Sequence, residues 1–152
     1  MGGMNYPDPI SEESGENFIE VLENHISSNP NEITLVTLGP LTNIANFIKH
    51  NLQSFLELKE VIIMGGAANT VGNVTPAAEY NIWCDPEAAK IVFDSGHNNI
   101  TIVGWELCRG GANLTEDEMD FIYSFKSEKG DFAIDCNKHA LDSSKNWLGD
   151  PG

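Results

Sequence analysis

The sequence predicts an α/β fold with a mainly parallel sheet and flanking helices. Three short apolar runs rich in β-branched residues, Ile33–Leu38, Val61–Met64 and Ile100–Val103, have the length and composition of strands. Between consecutive runs the apolar residues return at helical spacing, over a stretch long enough for the crossover that a parallel pair requires. The three strands are therefore expected to be adjacent and parallel. The second and third runs are apolar at successive positions, as in strands covered by helices on both faces.

Each element has its own local signals. Met1–Ser14 carries Gly2, Gly3, Pro7 and Pro9 and reads as irregular loop. Phe18, Val21, Leu22 and Ile26 then mark a surface helix, with Ser14 as the expected N-cap and Asn29-Pro30 as the stop. After the first strand, Gly39-Pro40 turns the chain into a helix bearing Leu41, Ile44, Ala45 and Ile48. Gly65-Gly66 ends the second strand. Asp85-Pro86 is a strong helix start, because Asp can accept from free N–H groups and Pro at the first helical position has none to leave unpaired, and Gly96 is a suitable stop. Beyond Gly110-Gly111, Thr115 and Glu118 form a capping box for a helix bearing Met119, Ile122 and Phe125. Lys126 and Lys129 are expected near its C-terminal end, with Gly130 after it. Asp142–Leu148 is read as the start of a further helix, and Gly149-Asp150-Pro151-Gly152 as a turn signal.

A chain of 152 residues with 41% hydrophobic content can bury roughly two-thirds of the surface its unfolded form exposes, which is enough for one domain. Its 8 basic residues against 23 acidic ones give a net charge of -15. No basic stripe offers to neutralise phosphates, so nucleic acid and anionic membrane are poor partners. No apolar run approaches the ~18 residues of a membrane span, and the start shows no signal-peptide pattern, which points to a cytoplasmic location. Cys84, Cys108 and Cys136 stand far apart without a C-x-x-C pair, so neither a zinc site nor a disulfide framework is signalled.

In an open α/β sheet, ligands bind at the carboxyl ends of the strands, here after Leu38, Met64 and Val103. The middle connection, Met64 to Asp85, reads as about twenty residues of loop, and loops beyond about 12–15 residues are usually functional or disordered. Pro76, Tyr80, Ile82 and Trp83 can pack, which argues for a folded loop. Asn73, Glu79 and Asn81 offer a carboxylate and two amides, able to donate to and accept from several hydroxyl groups at once, as a sugar would require.

The stretches Leu38-Gly39-Pro40-Leu41-Thr42-Asn43-Ile44-Ala45, Met64-Gly65-Gly66, Gly72-Asn73-Val74-Thr75-Pro76-Ala77-Ala78-Glu79-Tyr80-Asn81 and Asp85-Pro86-Glu87-Ala88-Ala89 resemble, in order and spacing, the core of the inosine/uridine-preferring nucleoside hydrolases. The resemblance is close over Ile33 to Val103. It implies hydrolysis of the N-glycosidic bond of a ribonucleoside to ribose and free base, a role in purine and pyrimidine salvage, and a site built around one Ca²⁺. It also implies that Asn73, Glu79, Asn81 and Met64 bind ribose, and that Leu38 gives its backbone carbonyl to the metal. A carboxylate near the ring favours the positive charge of an oxocarbenium-like transition state, and the amides hold the pentose in reacting geometry.

The sequence departs from the family pattern at both ends. The Asp-rich segment D-x-D-x-G-x-D-D is absent before Ile33, and Asp150-Pro151 shares only two letters with the late metal-ligand motif. No catalytic base is therefore identified, and residues 1–152 are expected to form a single, incomplete nucleoside hydrolase-like domain, inactive alone and without tight Ca²⁺ binding. A ribose- or nucleoside-binding module and a non-catalytic interaction protein on the same fold are the alternatives, and a homo-oligomer is compatible with each. Met64 is open to core packing as well as sugar contact, and Trp105 to packing as well as base stacking. His25, His50, His97 and His139 match no motif position.

Overall fold

The computed structural model describes residues 11–109 and 115–147. The Gly110-Gly111 turn, the first ten residues of the expected N-terminal loop and the final Gly149-Asp150-Pro151-Gly152 signal lie outside the described residues. Two compact units are present, one holding the sheet and one holding the last two helices.

The first unit runs α1 (Phe18–Ser28), β1 (Thr34–Thr37), α2 (Thr42–His50), α3 (Leu52–Leu56), β2 (Glu60–Met64), α4 (Tyr80–Cys84), α5 (Pro86–Phe93), β3 (Ile100–Val103) and α6 (Trp105–Cys108). Its strands form a parallel sheet in the order β1-β2-β3, with Leu35 beside Val61 and Val61 beside Ile100. The strands lie where the β-branched runs predicted them, adjacent and parallel.

α1 starts later than Ser14 allows. Asn17 is its N-cap: the side-chain Oδ1 accepts from the Ile19 amide at 2.9 Å, and the Asn17 carbonyl accepts the first helical bond, from Val21. Ser14 Oγ instead accepts from the Glu16 amide in a local turn. α3 was not foreseen. Asn51 caps it by accepting from the Ser54 amide and donates through Nδ2 to Glu23 Oε1, tying α3 to α1. α5 begins at Asp85-Pro86 as expected, with Asp85 Oδ1 accepting from the Ala88 amide at 3.0 Å.

The core forms where these helices meet one face of the sheet. Ile26, Leu41, Phe47, Phe55, Val61, Ile63 and Val92 are fully buried there, and complete burial of a side chain of this kind stabilises by roughly 1.5–3 kcal/mol. The strand contributions are Leu35, Val61, Ile63 and Ile100, all on one side of the pleat. The other side carries Val36, Ile62, Met64 and Val103, none of which belongs to the core cluster. The expectation of helix cover on both faces is thus corrected: within this unit the helices that build the core meet one face.

The second unit holds α7 (Glu116–Ser124) and α8 (Glu128–Trp147). Thr115 and Glu118 form the predicted capping box at the start of α7. The expected end differs. α7 closes at Phe125, and Lys126 rather than a glycine takes the positive φ, at 47°. Gly130 lies inside α8, where its amide donates to Ser127 Oγ in the first turn. The expected helix start at Asp142 falls within α8, which continues through it. Among the described residues no helix is long and apolar enough to cross a membrane.

Candidate functional site

The site lies at the carboxyl end of β2. Gly65 donates its amide to the Val103 carbonyl, continuing the β2–β3 pairing by one residue. Gly66 then takes φ +83°, a left-handed conformation that glycine adopts at little cost. This turns the chain so that the Gly66 carbonyl accepts from the Trp105 amide at the start of α6, while the Gly66 amide points at Glu79.

The segment after this turn is folded, as the packing residues in it suggest, but not loop throughout. Its residues 72–78 close on themselves: the Gly72 amide donates to the Pro76 carbonyl, and Val74 to Ala78. Thr75 and Ala78 form an antiparallel bridge. Gly72 is required by space, since a Cβ there would sit 2.1 Å from the Ala78 carbonyl oxygen. Asn73 Oδ1 accepts from the Tyr80 amide at 2.8 Å and so fixes this turn to the head of α4. α4 itself is the main correction to the loop reading: the last part of the connection is a short helix.

Glu79 is the N-cap of α4. Its Oε2 accepts from the Asn81 amide at 3.0 Å, from Ile82 at 3.4 Å and, across the turn, from Gly66 at 2.9 Å. The side chain is almost wholly enclosed, with Glu79 2% exposed. Backbone N–H groups that gather on one carboxylate oxygen compensate its loss of water. Asn81 is also buried and turns back toward the strand, donating through Nδ2 to the Met64 carbonyl at 3.1 Å and lying 3.2 Å from Met64 Sδ. Met64, Glu79 and Asn81 thus form one hydrogen-bonded cluster through Gly66, and Asn73 joins it through Tyr80.

Leu38 lies one residue past the Thr37–Ile63 pair and so next to Met64 in the strand register. It follows β1 and is 78% exposed, and the hydrogen bonds that unite the other residues do not include it. Its loop is braced to the far end of α4 instead, because Thr42 Oγ1 donates to Asp85 Oδ2. That bond, followed by the Ala88 amide, holds the Asp85 carboxyl below its usual range. Trp105 is half-buried and heads α6.

Among the described residues no group of three or more His, Cys, Asp or Glu side chains is placed to hold a metal ion. A Ca²⁺ ion takes 6–8 oxygen ligands, of which the Leu38 carbonyl would be one. Two buried oxygens near the carboxyl ends of the strands, Thr37 Oγ1 and Glu106 Oε2, have no hydrogen-bond partner. Sequence reasoning passed over Glu106 and also the capping function of Glu79, since Glu is outside the usual N-cap set of Ser, Thr, Asp and Asn.

A family model described as inosine-uridine preferring nucleoside hydrolase matches residues 1–151. Uridine nucleosidase 1 of Arabidopsis thaliana is 43% identical over 119 residues, which are 78% of this chain and 35% of that protein. The pyrimidine-specific ribonucleoside hydrolase RihA of Shewanella sp. (strain ANA-3) is 39% identical over 117 residues, covering 77% of this chain and 36% of that one. Among solved structures, a purine-preferring ribonucleoside hydrolase from Gardnerella vaginalis is similar with a TM-score of 0.81 at 28% identity, over 94% of this chain and 46% of that chain. The chain therefore spans about a third of the length of the two curated relatives.

Proposed function

The chain belongs to the inosine-uridine preferring nucleoside hydrolase family, and from that membership we propose that it supplies the ribose-binding part of a site that hydrolyses the N-glycosidic bond of ribonucleosides. The observation that carries this reading is the cluster at the end of β2, in which Glu79 and Asn81 are held by backbone bonds around Gly66 and Met64. Side chains fixed in this way can meet sugar hydroxyls without first losing much conformational freedom.

Asn73, Glu79 and Asn81 are the proposed hydrogen-bonding partners of the ribose hydroxyls, and Met64 the apolar contact beside them. Only Oε2 of Glu79 is engaged by the backbone amides named above, which leaves Oε1 as the acceptor for a hydroxyl. The negative charge of the carboxylate favours positive charge on the ring as the bond to the base breaks. Binding energy gained on the hydroxyls is then used at the anomeric carbon. The proposed contribution of Leu38 is its backbone carbonyl, offered to a divalent cation; Ca²⁺ is the ion whose preference for hard oxygen suits it. Such an ion would polarise a water for attack, and it needs ligands beyond those described in this chain.

The test is a titration of the chain with ribose, followed by amide chemical shifts. Shifts concentrated at 64–66 and 73–82 that disappear in Asn81→Ala are expected. Shifts scattered over the surface, or unaltered by Asn81→Ala, would remove the ribose assignment.

A further inference from the structure

We propose that Thr42 and Asp85 are positioning residues of the ribose site: the hydrogen bond between their side chains sets the orientation of α4, and through it that of Glu79 and Asn81. This rests on the ribose reading above and adds two residues that act on the sugar only through others.

Helix α4 has 5 residues, Tyr80–Cys84, and a helix so short has little stability of its own. Its direction depends on what holds its two ends. At the first end Glu79 Oε2 accepts from the Gly66 amide and Asn73 Oδ1 from the Tyr80 amide. At the other end stands Asp85, where α4 stops and α5 starts. Its carboxylate divides its two oxygens. Oδ1 accepts from the Ala88 amide at 3.0 Å and caps α5, while Oδ2 accepts from the hydroxyl of Thr42, the first residue of α2. The first bond is local, whereas the second joins residues 43 positions apart in the chain. A hydrogen bond to a charged acceptor is of the strong kind. The Thr42 hydroxyl is also the largest cause of the lowered Asp85 carboxyl, so this bond favours the ionised form.

The bond closes a ring around the site. From Leu38, next to Met64 in the strand register, the chain runs through Gly39, Pro40 and Leu41 to Thr42. Thr42 reaches Asp85, and one helical turn back from Asp85 lies Asn81, whose Nδ2 donates to the Met64 carbonyl at 3.1 Å. Two links of this ring are side-chain hydrogen bonds. Without Thr42–Asp85, α4 can swing about its Glu79 end, and the Asn81–Met64 bond has to resist that motion unaided. Side chains fixed before binding lose less freedom to the ligand. Thr42 itself is exposed, so the bond contributes more to orientation than to burial.

The experiment compares Thr42→Val and Thr42→Ser in the whole 152-residue chain. Valine keeps the branched shape without the donor and leaves Asp85 Oδ1 on the Ala88 amide, so the start of α5 is preserved. Serine keeps the donor. The Asn81 side-chain amide resonances in the unliganded chain report its bond to Met64, and the ribose titration reports affinity. In Thr42→Val the Asn81 side-chain amide should exchange faster with solvent, and ribose binding should weaken about tenfold as preorganisation is lost, with the melting temperature nearly unchanged. Thr42→Ser should restore both readouts. An Asn81 amide and a ribose affinity unmoved by Thr42→Val overturn the proposal, as does a failure of Thr42→Ser to restore them. Collapse of the melting curve in Thr42→Val assigns the bond to folding and likewise overturns it. If the parent chain binds no ribose, the ribose reading fails separately, and the Asn81 amide still decides whether Thr42 orients α4.

Discussion

The carboxylate of Glu79 accepts the amide of Gly66 at 2.9 Å, so the residue that starts α4 also closes the turn that ends β2. Glu79→Ala leaves that N–H and the Asn81 amide without their partner in a nearly closed space. Unsatisfied buried donors cost about 1–3 kcal/mol, and the variant is expected to lose that much stability in urea unfolding. Glu79→Gln keeps a carbonyl acceptor and should lose clearly less. Equal losses for the two variants would mean that charge, not hydrogen-bond acceptance, is what holds the turn.

Gly66 makes the same turn from the backbone side. At φ +83° a side chain is strained, while the space around its Cβ position is ordinary, with Ile102 and Ile82 at 3.9–4.0 Å. Gly66→Ala should therefore cost about 1–3 kcal/mol through conformation alone. The amides of Gly66 and Trp105, both hydrogen-bonded at this turn, should be the first to lose protection from hydrogen exchange. A stability unchanged within error would show that the turn relaxes out of the left-handed region at little cost.

The strands and the α5 start were legible because each is a local matter: β-branched runs ended by glycine, and an Asp-Pro pair whose chemistry is that of a helix end. α4 was not, because Tyr80-Asn81-Ile82-Trp83-Cys84 is too short to show a period and its cap is a glutamate. Gly130 was misread as a stop because a helix can absorb a single glycine, and it is Lys126 that breaks the chain direction. The residues proposed for the ribose site are visible in the sequence as a set of hydrogen-bonding side chains. That Glu79 and Asn81 would be turned onto Gly66 and Met64 depends on distances across the β2 turn, which no spacing encodes. The single-sided sheet was likewise unreadable, since Val61-Ile62-Ile63-Met64 is equally apolar whichever polypeptide supplies the cover.

Asp85 predicts a pH dependence. Its carboxyl is held below the ordinary value, first by the Thr42 hydroxyl and then by the Ala88 amide. A group with a depressed folded pKa adds stability above its unfolded value and loses it as pH falls through the folded one. The contribution is thus complete above about pH 4 and declines below it. Asp85→Asn should be less stable than the parent near neutral pH, and the difference should shrink on acidification below about pH 4. Thermal melts at a series of pH values check this, and a difference independent of pH would assign the effect to packing instead.

Finally, the isolated chain is expected neither to bind Ca²⁺ tightly nor to release base from inosine or uridine at a useful rate, even where it binds ribose. Hydrolysis needs a nucleophilic water, a base to take its proton and a group to stabilise the departing one. The cluster at the end of β2 supplies orientation and negative charge, and Glu79 has one oxygen committed to three backbone amides. Among the described residues no group of three or more His, Cys, Asp or Glu side chains is placed to hold a metal ion, and the Leu38 carbonyl is one ligand where Ca²⁺ takes 6–8. Base release is measured with added Ca²⁺ beside a calorimetric metal titration. Vigorous turnover by the pure chain would overturn this expectation, and Glu79→Gln would then separate two cases: it abolishes turnover if Glu79 itself takes the proton and only lowers it if Glu79 stabilises charge and another residue is the base.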